Sequence, residues 1–253
     1  RQHKYLPNIK HVTTYARADS IARKSVSELR ELKTAGIEHL YCGMETGSDL
    51  ILRKINKGFD TATIIISGTK AKEAGMVLSE FTLFGIGGKE LAEENAVETA
   101  KVLNVIKPDF VRVHATGIKL SSEMWNYVKN KELTLQSEEE IVSEQKIMLE
   151  LLADDMDCIY MNEHIVNLLL EVRGNIRTDK QNMLETINTY LQLPKQEQEL
   201  FNLGRRLNIM FFLADLNNRA KRKQTEEGLR KIKTQNPDLD LAFVCNYVRQ
   251  TQI

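Results

Sequence analysis

The sequence has 253 residues with 35 basic and 35 acidic side chains, so its formal net charge is zero. Hydrophobic residues make up 42% and charged residues 28%, which is typical of a folded globular protein and excludes a disordered chain. A chain that binds nucleic acid through overall charge is disfavoured because there is no net positive field. No apolar run approaches the roughly 18 residues of a membrane-spanning helix, so no membrane segment is expected.

The first half of the chain alternates between strand and helix patterns. Strands are predicted at residues 9–14, 37–44, 76–85 and 109–114, and helices at residues 25–36, 48–55, 60–75 and 90–106. Ser25 and Glu28 have the spacing of a capping box, and Gly36 suits the left-handed residue that ends a helix. These intervals indicate parallel βαβ units, in an open doubly wound sheet or in part of a (β/α)8 barrel.

The second half has a different character. No strand pattern follows Ser137, and helices are predicted at residues 137–152, 162–174, 179–193 and 195–216, with a last helix after Pro237. The sequence therefore predicts an α/β part at residues 1–120 and an all-helical part at residues 121–253. The basic run at residues 219–223 precedes two glutamates and is interpreted as a solvated helix face.

The cysteines are few and widely spaced, at Cys42, Cys158 and Cys245. An odd, sparse set provides no disulfide framework and indicates a reducing compartment, the cytoplasm. No Cys-x2-Cys pair is present, which excludes a zinc ribbon and a redox pair. Cys158 and His164 alone would leave a metal short of ligands, so we expect a core thiol and a histidine at a helix start.

Candidate ligand contacts lie beyond the carboxyl ends of the predicted strands, where parallel α/β sheets bind their ligands. Glu45 directly follows an apolar strand, where a buried acid costs free energy. Its carboxylate could accept hydrogen bonds from a sugar diol or an ammonium group. Alternatively, Glu45 caps the helix that begins at Ser48, or pairs with Arg17 or Lys57.

Two further strand ends carry candidate residues. Residues 85–88 read Gly-Ile-Gly-Gly, a poor dinucleotide-binding fingerprint because Glu90 occupies the position of its third glycine. A tight turn from strand to helix requires glycine as well. His114 ends the fourth strand, where it is an acid, a base or a ligand contact, or else a structural histidine.

Several motifs, taken in chain order, resemble the later strands of radical S-adenosylmethionine (radical SAM) enzymes. They are TTYAR at residues 13–17, GMETGSD at 43–49, INKG at 55–58, and AGM at 74–76 leading to LFGIGG at 83–88. Residues 171–176 (EVRGNI), with 179–180 and 183–184, resemble the C-terminal extension of uncharacterised members related to oxygen-independent coproporphyrinogen oxidases. The resemblance spans residues 5–207 and implies strands three to six of a partial (β/α)6 barrel.

The resemblance implies an enzyme whose reduced [4Fe–4S] cluster cleaves SAM to a 5′-deoxyadenosyl radical, which then abstracts hydrogen from a substrate. The substrate is unknown, and a protein such as flavodoxin or ferredoxin would supply the electron. Family members hold the cluster through three cysteines in a Cys-x3-Cys-x2-Cys loop after the first strand, as expected for iron–sulfur ligation.

The resemblance also implies roles for particular residues. Glu45 falls where the family has a polar residue near the ribose or the amino end of SAM. Lys57 falls where a basic residue meets the SAM carboxylate, a charge-assisted contact. Arg17 would lie near this pocket at the end of strand three.

The adenine end of the cofactor is assigned in the same way. Gly85, Ile86 and Gly87 match the turn after the fifth strand of the family barrel, which packs backbone and an apolar side chain on the adenine. His114 lies at the end of the sixth strand, where it would contact adenine or substrate.

The chain departs from the family pattern because it contains no Cys-x3-Cys-x2-Cys motif and begins at Arg1 rather than Met. We therefore expect a C-terminal fragment that is inactive alone, with its cluster ligands upstream and an unpaired edge strand. A second hypothesis is a cluster-less α/β module that binds a nucleotide-like ligand or a protein partner. A third, a nicotinamide-dependent enzyme, depends only on the glycine turn.

Overall fold

One six-stranded sheet forms the framework of the computed structural model, which describes residues 8, 11–235, 238 and 240–252. Its strands are β1 (Val12–Ala16), β2 (Ile37–Glu45), β3 (Val77–Phe84), β4 (Phe110–Ala115), β5 (Ile159–Met161) and β6 (Gly174–Asn175). They lie side by side in chain order. The first five strands run parallel, and β6 pairs antiparallel with β5.

The strand order distinguishes between the two α/β architectures left open by the sequence. A doubly wound sheet reverses its strand order at a switch point, whereas successive strands of a β/α barrel are neighbours throughout. Here every strand pairs with the next one along the chain. The predicted fold class, a partial β/α barrel followed by a helical part, is therefore confirmed, although the second part is not all-helical as predicted, because it contributes β5 and β6 to the sheet.

Helices alternate with the strands of the first half and dominate the second half. Those between the strands are α1 (Ala18–Ala22), α2 (Val26–Thr34), α3 (Asp49–Lys54), α4 (Thr61–Glu73) and α5 (Ala92–Ile106). Those after β4 are α6 (Glu123–Lys129), α7 (Glu138–Leu151), α8 (Ile176–Leu191), α9 (Lys195–Arg206), α10 (Arg219–Gln235) and α11 (Leu241–Arg249). No helix among the described residues is long and apolar enough to cross a membrane.

Two helices begin at capping boxes that the sequence encodes. Ser25 Oγ accepts the amide of Glu28 at 3.2 Å, and the Glu28 carboxylate accepts the amide of Ser25 at 2.7 Å. Ser137 and Glu140 repeat the arrangement at the start of α7 with the same two distances. Each box satisfies amides that have no partner within the helix, so these starts follow from local sequence.

The sheet has one face buried beneath helices and one face that is partly open. Alternate side chains of the central strands, among them Leu40, Leu78, Val111 and Val113, are almost fully buried. Burial of such a side chain contributes about 1.5–3 kcal/mol to folding. The side chains between them, on what we call the inner face, are mostly aromatic or basic and are only partly buried.

Two predictions for the second half are wrong. β5 and β6 follow Ser137, where no strand was expected, and residues 162–173 form turns instead of a helix. Asn167 explains the second difference, because it is buried and its amide donates to the carbonyl of Val113 at 2.7 Å and accepts the amide of Ala115 at 2.7 Å. These long-range hydrogen bonds hold the segment against the end of β4.

Smaller differences concern the ends of elements. The helix predicted at residues 195–216 ends at Arg206, where Asn208 has a left-handed φ of 57°, and a 3-10 helix follows at Leu213–Asn217. The first strand lies at Val12–Ala16 instead of residues 9–14, and residues 9 and 10 are outside the described part. Pro237 is outside it as well.

The division at residue 120 stays a prediction. The same sheet takes β5 and β6 from beyond that residue, and α7 packs against α5. The chain's end also docks on the first half, because Asn246 of α11 exchanges hydrogen bonds with the backbone of Ile118 at 2.9 and 3.1 Å.

Candidate functional site

An ion pair stands at the carboxyl ends of β1 and β2. Lys57 Nζ lies 2.6 Å from Glu45 Oε1, and the two side chains are 18% and 22% exposed. Glu45 has a left-handed φ of 64°, and the β2–β3 register shifts between Gly43 and Glu45. A non-glycine residue in this conformation is strained and needs the surrounding structure to hold it, which is common at ligand sites.

Gly43 leaves the space that the ion pair occupies. A Cβ atom at Gly43 would lie 2.4 Å from Glu45 Oε1 and 3.3 Å from Lys57 Nζ. The Glu45 carboxylate therefore folds back over the glycine on the inner face. The two charged groups lie together above bare backbone, in a space that any side chain at position 43 would fill.

Arg17 joins this cluster from the end of β1. Its Nη2 donates to the carbonyl of Lys57 at 3.2 Å, and its Nε pairs with Asp19 at 3.1 Å. The ring of Phe59 lies 5.2 Å from the Arg17 guanidinium and 5.5 Å from Lys57 Nζ. Three of the predicted site residues, Arg17, Glu45 and Lys57, are thus in one place, and cation–π contacts with Phe59 support both basic groups.

Two proposed structural roles for Glu45 are decided by this geometry. The helix that follows is capped by Ser48, whose Oγ accepts the amide of Ile51 at 3.2 Å, so Glu45 is not its cap. Glu45 pairs with Lys57 and not with Arg17.

The glycine turn after β3 packs against the rest of the chain. Gly85 has a φ of 80° and donates its amide to Glu144 of α7 at 3.0 Å. Ile86 is 7% exposed, and a Cβ atom at Gly87 would lie 2.9 Å from side-chain atoms of Ile51 and Leu91. The glycines are required here for close packing, as the turn interpretation expects. The assignment of Gly85, Ile86 and Gly87 to adenine stays a prediction.

His114 lies on the inner face, one strand from the glycine turn. Its ring contacts His164 at 4.2 Å between centroids and Phe81 at 5.5 Å. Burial, followed by the positive charges of His164 and Arg112, lowers the pKa of His114 to about 4. His114 is therefore neutral at pH 7 and is suited to accept a hydrogen bond. No hydrogen bond or ion pair between described residues joins it to the Glu45–Lys57 cluster.

Sequence reasoning missed the aromatic and basic residues of the inner face. They are Tyr15, His39, Tyr41, Phe81, Phe110 and Arg112. The signal was the alternation along the strands, as in Phe110, Arg112 and His114, where aromatic or basic residues occupy every second position of β4. Side chains two apart share one face of a strand, so this pattern predicts one aromatic and basic face.

The chain's cysteines do not fit an iron–sulfur cluster. All three are buried free thiols, and burial raises the pKa of Cys158 and of Cys245 to about 12. Cluster ligation requires thiolates grouped around one centre. Within the described residues, no group of three or more histidine, cysteine or acidic side chains is placed to hold a metal ion.

No family model matches this sequence, and no curated protein matches it. Among solved structures, the chain is similar to the archaeal Methanocaldococcus infernus Elp3 with an N-terminal deletion. That match has 17% identity and a TM-score of 0.48, and it covers 57% of this chain and 33% of that chain. The chain is also similar to methylornithine synthase (PylB), with 15% identity, a TM-score of 0.41, and coverage of 70% of this chain and 45% of that chain. The chain thus spans less than half the length of either structure.

Proposed function

We propose that this chain is part of a radical SAM-type barrel and that Glu45 and Lys57 bind the amino-acid head group of SAM. The observation that carries the proposal is the ion pair above Gly43, where a Cβ atom would lie 2.4 Å from the carboxylate. A zwitterion can meet both partners at once, its ammonium at Glu45 and its carboxylate at Lys57. The ligand thereby replaces one ion pair by two charge-assisted contacts.

The strain at Glu45 supports a ligand role over a purely structural one. A partly exposed ion pair contributes about 0–1 kcal/mol, whereas a left-handed non-glycine residue costs about 1–3 kcal/mol. Stability alone therefore gives little reason to hold Glu45 at a φ of 64° beside a register shift. Orientation of a carboxylate toward a ligand gives a reason.

The cluster that this chemistry requires would need ligands from outside this sequence, since the three buried thiols do not fit it. SAM is the source of the reactive group in that family. The substrate, the flavodoxin or ferredoxin reductant and the cytoplasmic location stay predictions.

The three buried and separate thiols also favour a second candidate function. This is a cluster-less module that binds SAM or a similar ligand without turnover.

Calorimetry of the chain with SAM tests the head-group site. We expect binding that Lys57→Met weakens at least about tenfold, in line with the loss of one charge-assisted contact. Decarboxylated SAM lacks the group that meets Lys57, so Lys57→Met should not weaken its binding.

A glycine pair provides the matched control. Gly43→Ala should abolish SAM binding because its methyl group displaces the Glu45 carboxylate. Gly228→Ala, on α10, would place its methyl group 3.3 Å from a single Leu207 carbon and should bind SAM normally. Absence of SAM binding to the native chain contradicts the proposal. SAM binding by Gly43→Ala or Lys57→Met that is as tight as that of the native chain contradicts it as well. Binding of NAD with no binding of SAM would favour the nicotinamide hypothesis.

A further inference from the structure

Arg112 of β4 lies within a group of aromatic rings on the inner face. Its guanidinium carbon is 4.7 Å from the ring centroid of Tyr41 and 5.9 Å from those of Phe81 and Phe110. Its Nη2 donates to the Tyr41 hydroxyl at 2.9 Å. Its Nε is buried and has no hydrogen-bond partner among the described residues. The aromatic rings and the Tyr41 hydroxyl thus hold the guanidinium in place, but they leave one of its N–H donors without an acceptor.

Among the residues that the structure describes, no carboxylate forms an ion pair with this guanidinium. Arg112 is partly buried and donates to the Tyr41 hydroxyl, whereas the fully buried Arg206 pairs with the Glu138 carboxylate. Besides Tyr41, the titratable side chains close to Arg112 on the inner face are His39, beside Tyr41 and Phe110, and His114, beside Phe81. Withdrawal of an arginine from water without a counter-ion costs free energy, and such unbalanced charges concentrate at binding sites.

The surface next to Arg112 is aromatic and open. Tyr15 is 79% exposed although it is a large aromatic residue. Its ring meets Tyr41 edge-on at 5.4 Å and stacks at 6.3 Å on Phe81. Phe81 is the register neighbour of Arg112, and neighbouring parallel strands lie about 4.8 Å apart. A flat group placed on these rings would therefore have the guanidinium within reach of a substituent.

We propose that the inner face binds a small organic carboxylate with a flat apolar body, whose carboxylate meets Arg112 and whose body packs on Tyr15 and Phe81. The carboxylate supplies the missing counter-charge and an acceptor for the guanidinium, and the rings supply apolar area. This inference rests on the proposed function, because the inner face is then the substrate side of the barrel. It names the substrate class as an aromatic or heteroaromatic acid.

Two probes that differ only in charge test the assignment, 1-naphthoate and its neutral amide, 1-naphthamide. Titration calorimetry of the chain without SAM should show naphthoate binding at least about tenfold tighter than naphthamide. Arg112→Gln should remove this preference. The control Arg53→Gln changes an exposed arginine of α3 and should keep it.

Tyr15→Ala tests the apolar half of the site. Because Tyr15 is 79% exposed, the fold should tolerate its removal. Both probes should bind several-fold more weakly to this variant, with the preference for naphthoate unchanged. If circular dichroism shows that Arg112→Gln misfolds, Arg112→Lys replaces it, and its compact ammonium should reduce the preference without abolishing it.

Equal binding of the two probes by the native chain, or an undiminished preference in folded Arg112→Gln, overturns this inference. The titrations contain no SAM, so they are independent of the Glu45–Lys57 site. A naphthoate preference without SAM binding would refute the proposed function and keep the carboxylate site. SAM binding without a preference for naphthoate would refute the carboxylate site and keep the proposed function.

Discussion

Glu144 is a carboxylic acid enclosed within the protein, where it connects α7 to the glycine turn after β3. Its side chain is 1% exposed and accepts hydrogen bonds from the Gly85 amide at 3.0 Å, the Gln136 amide at 2.9 Å and the Asn95 amide. Burial raises the pKa of Glu144 to about 7, although these donors act in the opposite direction. We predict that this single group makes folding stability fall as pH rises.

The sign and the size follow from proton linkage. Below about pH 4.5, the group's ordinary pKa, both the native and the unfolded chain keep the proton. Between about pH 4.5 and 7 the unfolded chain loses it while the native chain retains it, so the free energy of unfolding decreases with pH. One pKa unit corresponds to 1.36 kcal/mol, so the total loss is about 3 kcal/mol and is complete just above pH 7.

Urea denaturation between pH 5 and 8 measures this loss, with Glu144→Gln as the neutral variant. The comparison must be a difference between variants, because His114 titrates in the opposite sense. The folded pKa of His114 is about 4, so its contribution to stability increases with pH up to about 6.5. At pH 5 the glutamine variant should be less stable than the native chain, because it brings amide donors to a site already rich in donors. It lacks the group that titrates at position 144, so this difference should become smaller as pH rises.

The native chain should therefore lose about 2 kcal/mol more than Glu144→Gln from pH 5 to 8, since part of the transition lies below pH 5. Glu227→Gln, at an exposed position of α10, serves as the control and should follow the native curve. If native and Glu144→Gln stabilities change in parallel across this range, the reasoning from burial is refuted.

Three further predictions concern stability and thiol chemistry. Arg206→Met should lower the free energy of unfolding in urea titrations by an amount near the lower end of about 3–5 kcal/mol. It removes the partner at 2.8 Å from the buried Glu138 carboxylate and leaves only the more distant Arg249, at 3.8 Å. Lys233→Met, at an exposed ion pair, should change the free energy of unfolding by less than about 1 kcal/mol. Asn167→Ala should cost about 2–4 kcal/mol in the same assay, because it leaves the Val113 carbonyl and the Ala115 amide without their buried partner. A thiol reagent at pH 8 should modify the three cysteines slowly in the native chain and rapidly in denaturant, because burial makes the thiols inaccessible and raises their pKa. Rapid labelling of the native chain would contradict the buried positions of the cysteines.

Local sequence was sufficient for most of the first half. The capping box at Ser25 and the glycine at position 36 set the ends of α2 through contacts between residues three or four apart. The same reasoning failed at residues 162–173, where an apolar run that reads as a helix forms turns. The decisive contacts of Asn167 are with Val113 and Ala115, more than fifty residues away, and no local pattern contains them.

The candidate site also has a part that the sequence predicted and a part that only the structure shows. Glu45 and Arg17 were found from their positions after strands, because parallel strands bring their carboxyl ends to one edge. Lys57 follows a helix instead, and its role came from the family resemblance. The sequence left several partners open for Glu45, and only the register shift and its left-handed backbone show that it folds over Gly43 toward Lys57.

The sequence by itself determined the alternation of strands and helices, the ends set by caps and glycines, and the absence of a cysteine motif, since each depends on residue types and short spacings. Only the tertiary structure decided which strands are neighbours and that β5 and β6 extend the sheet. It also placed Arg112 among rings from three strands, with no ion pair to a carboxylate in the part of the chain that the structure describes. Those properties depend on contacts between residues tens of positions apart. Such contacts form when long loops close and side chains pack in the interior at the same time. Neither process can be predicted from a short segment of the sequence.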